Sequence, residues 1–252
     1  MRLTGMCAVV LGGTTGIGRA LALGLARAGA DVVASSRSAE GTAMMAREIQ
    51  ATGRRSLDVA TDVTDRDSLE RLREAVLAKF SSVEILINSA GITRRLPTLD
   101  VDEATWNSIM DVNLTGTLRG CQVFGAHMLE RRFGRIINIA SLSSFVAFTE
   151  VAPYCASKAA VAALTRSLAV EWSPHNVTVN AIAPGVFPTA LNSRIIDSPR
   201  GKELLMRTPM ARFGAPQELV TTAIYLAARE TTYTTGQVIP VDGGMLASGV
   251  NQ

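Results

Sequence analysis

The sequence predicts an α/β chain built on a doubly wound parallel sheet with helices on both faces, and three observations predict it. Short apolar runs recur along the chain with longer helical stretches between them. These runs are dominated by apolar residues, as strands buried on both faces are. The first run passes directly into a glycine-rich turn and then a helix, which is the opening unit of such a sheet. No low-complexity linker interrupts the 252 residues, a length at which one domain can bury one sizeable core.

In chain order, Met6–Leu11 reads as a short buried strand and Gly12 to Gly18 as the turn. A helical stretch follows to about Gly29. Ala30–Arg37 supplies a second strand, and Ser38–Ala51 and Asp67–Phe80 carry helical spacing. Val83–Ile87, Arg135–Ala140 and Val177–Ile182 are further apolar strands. Thr105–Arg131, Pro153–Trp172 and Pro216–Ala228 are the intervening helices, and Gly236–Val241 adds a last strand. No solenoid period is visible.

The turn Gly12-Gly13-Thr14-Thr15-Gly16-Ile17-Gly18 has the chemistry of a dinucleotide cradle. Gly12 can take the tight turn, Gly16 lets backbone approach a pyrophosphate, and Gly18 lets the next helix pack close to the strand. Free N–H groups and the positive end of the helix dipole then face the phosphates. Gly12, Thr14, Gly16, Ile17 and Gly18 are the candidate contacts. The spacing is not G-x-G-x-x-G, because Leu21 stands where the third glycine would be. At the end of the second strand, where an acidic residue would bond a ribose 2′-hydroxyl and repel a 2′-phosphate, the chain has Ser36 and Arg37. Nothing there repels a phosphate and a bidentate donor is at hand, so NADP(H) is favoured over NAD(H).

Tyr154-Cys155-Ala156-Ser157-Lys158 places a phenol and an ammonium four residues apart, on one face of the predicted helix. Lys158 is then expected to lower the pKa of Tyr154 from about 10 toward a pH at which it can exchange protons. Ser141, upstream, is the hydroxyl that would polarise a carbonyl.

Together these motifs resemble the short-chain dehydrogenase/reductase family over almost the whole chain. Asp62-Val63 looks like the pair that meets adenine. Asn88-Ser89-Ala90-Gly91 resembles the family's Asn-Asn-Ala-Gly segment, with Asn88, Ala90 and Gly91 as cofactor candidates. Asn113 matches an asparagine that holds a relay water near the lysine, and Pro184-Gly185 with Thr189 matches the loop at the nicotinamide carboxamide. Leu11 and Ser89 depart from the family pattern, replacing a threonine and the second asparagine. The resemblance implies a single NAD(P)-binding Rossmann fold over residues 1–252 and hydride transfer between nicotinamide and a secondary alcohol or ketone. Tyr154 would be the acid or base, Lys158 its partner, Ser141 the oxygen-binding group and Asn113 the water-orienting one. It also implies a homotetramer joined through the long helices and the last strand.

Composition narrows the alternatives. The net charge of +3 comes from basic residues mixed among acids, without a basic stripe interleaved with aromatics, so nucleic-acid binding is not expected. The densest basic cluster, Arg131-Arg132 with Arg135, reads as a solvated helix end. Cys7, Cys121 and Cys155 are scattered reduced thiols, and His127 and His175 have no ligand cluster, so no metal site is expected. Nothing reads as a signal peptide or membrane span, which places the chain in the cytoplasm.

Substrate contacts are expected from the loops Ile92–Pro97, Leu142–Val151 and a lid at about 186–210. Thr93-Arg94-Arg95 brings Arg94 and Arg95 to the pocket mouth, where they could clamp a carboxylate. Within the family, these residues and Arg207–Gly214 look most like gluconate 5-dehydrogenases. The alternatives are a 3-oxoacyl-thioester reductase, a broad carbonyl reductase and, outside enzymes, a nucleotide-sensing protein. The last would be marked by loss of Ser141, Tyr154 or Lys158, and none is lost.

Overall fold

The computed structural model describes residues 2–189 and 197–249. Its strands are β1 (Cys7–Leu11), β2 (Asp31–Ser35), β3 (Ile85–Asn88), β4 (Gly134–Ile139), β5 (Val177–Pro184) and β6 (Val238–Val241). They form one six-stranded sheet in the order β2-β1-β3-β4-β5-β6, and every pairing is parallel. The helices are α1 (Gly16–Arg27), α2 (Ala39–Ala51), α3 (Arg66–Phe80), α4 (Glu103–Met110), α5 (Gly116–Glu130), α6 (Ala152–Trp172), α7 (Pro199–Met206) and α8 (Val220–Ala227).

The side chains of β1 show why the sheet needs cover on both sides. Ala8 and Val10 join Leu21, Leu25, Ile49 and Leu226 in a core under α1, α2 and α8. Cys7, Val9 and Leu11 join Leu72, Val76 and Phe124 under α3, α5 and α6. Alternate residues point to opposite faces, so both sets must be apolar. The chain leaves β1 for β2 on one side and returns to β3 on the other. That reversal opens a crevice at the carboxyl ends of β1 and β3.

Three expectations change. The helix expected over Thr105–Arg131 is broken: α4 and α5 are separated by a π-helical turn, Asp111–Thr115, in which Gly116 N–H reaches Asp111 O. Its cause is tertiary, since the wide turn brings Asn113 inside, where its amide bonds both backbone groups of Ile92 at 2.8 and 3.0 Å. Pro216–Leu219 is likewise a separate 3₁₀ turn ahead of α8. Arg135 is not solvated but fully buried on β4. Its guanidinium lies 4.4 Å over the Phe133 ring and donates to the carbonyls of Gly134, Ala228 and Arg229 at 3.0–3.2 Å. The negative end of α8 thus takes the place of a carboxylate partner. The other elements lie within about two residues of their expected bounds.

Candidate active site

A cleft of about 520 Å³ runs along the carboxyl ends of the strands. Its floor is the glycine turn. Gly12 has φ +75°, and its N–H and that of Gly13 both donate to Ser35 O, at 2.8 and 3.0 Å. A Cβ on Gly12 would lie 2.6 Å from Ala90 N, and one on Gly18 would lie 2.1 Å from Gly12 O. Thr15, the residue before α1, makes no side-chain cap, so the first N–H groups of this helix are left for a ligand. Backbone this bare, at a helix N-terminus, fits a pyrophosphate.

Gly12, Gly16, Ile17 and Gly18 line the cleft as expected, and so do Ala90 and Gly91. Ser36, Arg37, Asp62 and Val63 line its far end. Burial pushes the Asp62 carboxyl up, but hydrogen bonds from the N–H and hydroxyl of Thr64, with the charges of Arg37 and Arg119, outweigh it and hold the group below the usual range. Pro184, Gly185 and Thr189 form the opposite lip, where a Cβ on Gly16 would lie 3.3 Å from Thr189 Cγ2. Of the expected lid at 186–210, residues 190–196 lie outside the described residues.

Five expected site residues do not line the cleft wall, the fully buried Asn113 among them, and Thr14 is the first in the chain. It is 5 % exposed and turns away, while Thr15 takes its place. Asn88 sits behind the wall, donating to Asn138 Oδ1 at 2.8 Å and to Cys121 Sγ at 3.3 Å. Arg95 is ion-paired with Glu150 at 2.5 Å, and Arg94 donates to Thr105 Oγ1 at 3.0 Å. Wall residues with no distinctive sequence signal also appear, among them Thr61, Ser108 and Val112, while Ile92 and Phe187 come from the loops expected to supply contacts. Of the two departures from the family pattern, Leu11 is core packing and Ser89 lines the cleft.

The reactive end is built by the turn after β4 and by the first turns of α6. Ser141 has extended backbone, and its Oγ accepts the N–H of Ser143 at 3.1 Å. Its hydroxyl donates to Ser143 Oγ at 3.3 Å and acts to lower the pKa of the Tyr154 phenol. Lys158 is 5 % exposed, donates to Ile139 O at 2.7 Å and lies 5.8 Å from the centre of the Tyr154 ring. Asn113, fully buried, donates to Ser157 Oγ at 3.0 Å on the same helix. A Cβ on Gly91 would touch both Asn113 Oδ1 and Lys158 Nζ, at 3.5 and 3.6 Å.

The expected lowering of the Tyr154 pKa is corrected here. Burial raises the phenol above its ordinary value, and the Ser141 hydroxyl only partly opposes that. Lys158 directs its ammonium to the Ile139 carbonyl and the Tyr154 ring face, not to the phenol oxygen. Burial also lowers Lys158 itself, from 10.5 to about 8. Below pH 8 the folded chain therefore carries a penalty for a buried charge. As pH rises from about 8 to 10.5 the folded lysine loses its proton while an unfolded one keeps it, and the penalty lifts. The stability of the cofactor-free chain relative to Lys158→Met is thus expected to rise with pH across that window by up to about 3 kcal/mol. Chemical denaturation of both proteins at pH 7 and pH 10 measures it. A pH-independent difference would show an ordinary lysine.

Among the described residues no helix is long and apolar enough to cross a membrane, and no cluster of His, Cys, Asp and Glu could hold a metal ion. Residues 12–246 match a family model described as enoyl-(acyl carrier protein) reductase. The gluconate 5-dehydrogenase of Gluconobacter oxydans is 38 % identical, over 98 % of this chain and 96 % of that enzyme. The chain belongs to the short-chain dehydrogenase/reductase family. As a short-chain dehydrogenase/reductase it is an oxidoreductase acting on hydroxyl and keto groups. The 3-oxoacyl-(acyl-carrier-protein) reductase of Thermotoga maritima is 34 % identical over 98 % of this chain and 100 % of its own length. A crystal structure of a Burkholderia cenocepacia gluconate 5-dehydrogenase with NADP and tartrate superposes with a TM-score of 0.94. It is 36 % identical, and the match covers 98 % of this chain and 97 % of that one.

Proposed function

We propose that this short-chain dehydrogenase/reductase is NADP(H)-dependent and interconverts a secondary alcohol and a ketone on a sugar acid. The observation that carries this reading is a single cleft with Ser141, Tyr154 and Lys158 at one end and Ser36 and Arg37 at the other. NADP(H), when bound, supplies or takes up the hydride. Tyr154 holds the transferred proton at its phenol oxygen, giving it to the substrate oxygen in reduction and taking it in oxidation. Ser141 accepts the Ser143 N–H and points its own proton at Ser143 Oγ, 3.3 Å away; turned to the substrate oxygen, that proton is what it offers as negative charge develops. Lys158 brings positive charge beside the Tyr154 ring and favours the phenolate whenever the proton has left. Asn113, anchored to Ile92 and Ser157, holds the backbone between α6 and the loop after β3. A homotetramer belongs to the same reading, supported by Ala156, Ala159, Ala160 and Ala163 on α6, of which Ala159 and Ala163 are exposed.

The sugar-acid part rests on relatives such as the Gluconobacter enzyme and on the arginines. Arg95 is ion-paired with Glu150, whereas Arg94, exposed outside the cleft wall, is held only by the neutral Thr105 hydroxyl, so Arg94 is the one assigned to a substrate carboxylate reaching the mouth. The test is NADPH and NADH oxidation with 5-keto-gluconate and, in parallel, with an acetoacetyl thioester. Turnover of the keto acid with NADPH is expected, and Arg94→Ala should raise its KM about tenfold, the worth of one charge-assisted hydrogen bond, with kcat nearly kept. Turnover of the thioester alone would move the function to acyl reduction, the reading that the Thermotoga relative favours. An unchanged KM would remove Arg94 from the substrate site.

A further inference from the structure

Thr14 was expected on the cleft wall, yet it is buried, and its hydroxyl is spent on a residue that does line the cleft. Thr14 Oγ1 donates to Ser36 Oγ at 2.9 Å, and Ser38 N–H donates to the same oxygen at 3.3 Å. Backbone holds Ser36 in place as well, since its carbonyl accepts Thr61 N–H at 2.8 Å. A serine hydroxyl has two lone pairs and one proton. With both lone pairs occupied, Ser36 can meet a ligand only as a donor.

We propose that Thr14 is a specificity-determining residue for the cofactor, acting through Ser36: it fixes Ser36 as a donor and so selects a 2′-phosphate over a 2′-hydroxyl. This rests on the NADP(H) reading above. A 2′-phosphate is an array of acceptor oxygens and matches a wall made of the Ser36 hydroxyl and the Arg37 guanidinium, both donors. A ribose 2′-hydroxyl gains most from an acceptor, and Ser36 has no lone pair left to offer it. Asp62, the acidic group further along this wall, has its Oδ1 occupied by the N–H and hydroxyl of Thr64. Discrimination therefore comes from hydrogen-bond polarity as well as charge. The selecting group lies behind the wall, without itself lining the cleft.

The test is direct titration of the full chain with NADPH and with NADH, followed by fluorescence, for the wild type, Thr14→Val, Thr14→Ser, Ser36→Ala and the Thr14→Val/Ser36→Ala pair. Thr14→Val keeps the shape and removes the donor. It should lower the ratio of the NADH Kd to the NADPH Kd about fivefold, the worth of one redirected hydrogen bond, while Thr14→Ser should retain the wild-type ratio. In the Ser36→Ala background, Thr14→Val should change the ratio no further. An unchanged ratio in Thr14→Val, or an equal fall with and without Ser36, overturns the proposal, the second outcome marking a packing effect. A wild type that binds NADH as tightly as NADPH would instead overturn the NADP(H) reading, and this inference with it.

Discussion

Replacing Tyr154 with Phe is expected to lower kcat by about two to four decades while the Kd for NADPH changes little. The substitution removes one oxygen and keeps the ring, so Lys158 retains its contact with the aromatic face and its bond to Ile139 O. What disappears is the phenol hydroxyl, the proton donor that lines the cleft with Ser141. Because burial holds this phenol above its ordinary pKa, it is protonated at neutral pH and poised as an acid. Ketone reduction should therefore persist well above pH 7 in the wild type. Single-turnover kinetics in the reduction direction, with NADPH binding titrated separately, read both quantities. A variant with near wild-type turnover would show that the proton comes from elsewhere, and the assignment of Tyr154 would fall.

Gly18→Ala should be nearly as damaging, through a different link. The added methyl would stand 2.1 Å from Gly12 O and 2.9 Å from Gly12 C, both backbone atoms with no rotamer to give way. Relief requires α1 to move off β1. That helix is anchored by Leu21 and Leu25, both fully buried, so the strain of about 1–3 kcal/mol is shared between core and turn. A shift of the uncapped N-terminus of α1 by even about 1 Å should weaken NADPH binding on the order of 100-fold. Gly249→Ala, where a Cβ would have nothing within 4 Å, is the control and should leave both stability and binding unchanged. Calorimetry with and without NADPH separates the two effects. Wild-type affinity in Gly18→Ala would mean that close packing of α1 does not shape the phosphate site.

The features that proved legible in the chain are those with a local cause. Apolar runs such as residues 85–87 must be buried wherever they go, and glycines such as Gly12 and Gly18 mark places where only backbone fits. Tyr154 and Lys158 share a helix face by period alone, so the reactive end could be assembled on paper. The features that were misjudged depend on partners distant in sequence. Asn113 enters through a π-helical turn because Ile92, 21 residues earlier, offers both backbone groups to its amide. Arg135 is buried because carbonyls some 93 residues away, at the end of α8, stand in for an acid. Arg95 turns from substrate candidate to loop strap because Glu150 lies across the mouth, where Leu96 N–H also bonds Glu150 O.

By itself, then, the sequence determined the sheet and the glycine turn and put Tyr154 and Lys158 on one helix face, since burial of apolar strands, the sterics of glycine and helix period act over a few residues. The tertiary structure alone decided which way those groups titrate and donate. Tyr154 and Lys158 shift with the dielectric of the walls closed around them, and Ser36 becomes a donor through a threonine folded in from another turn. Solvation and hydrogen-bond polarity belong to an enclosure, and an enclosure exists only once the chain has folded.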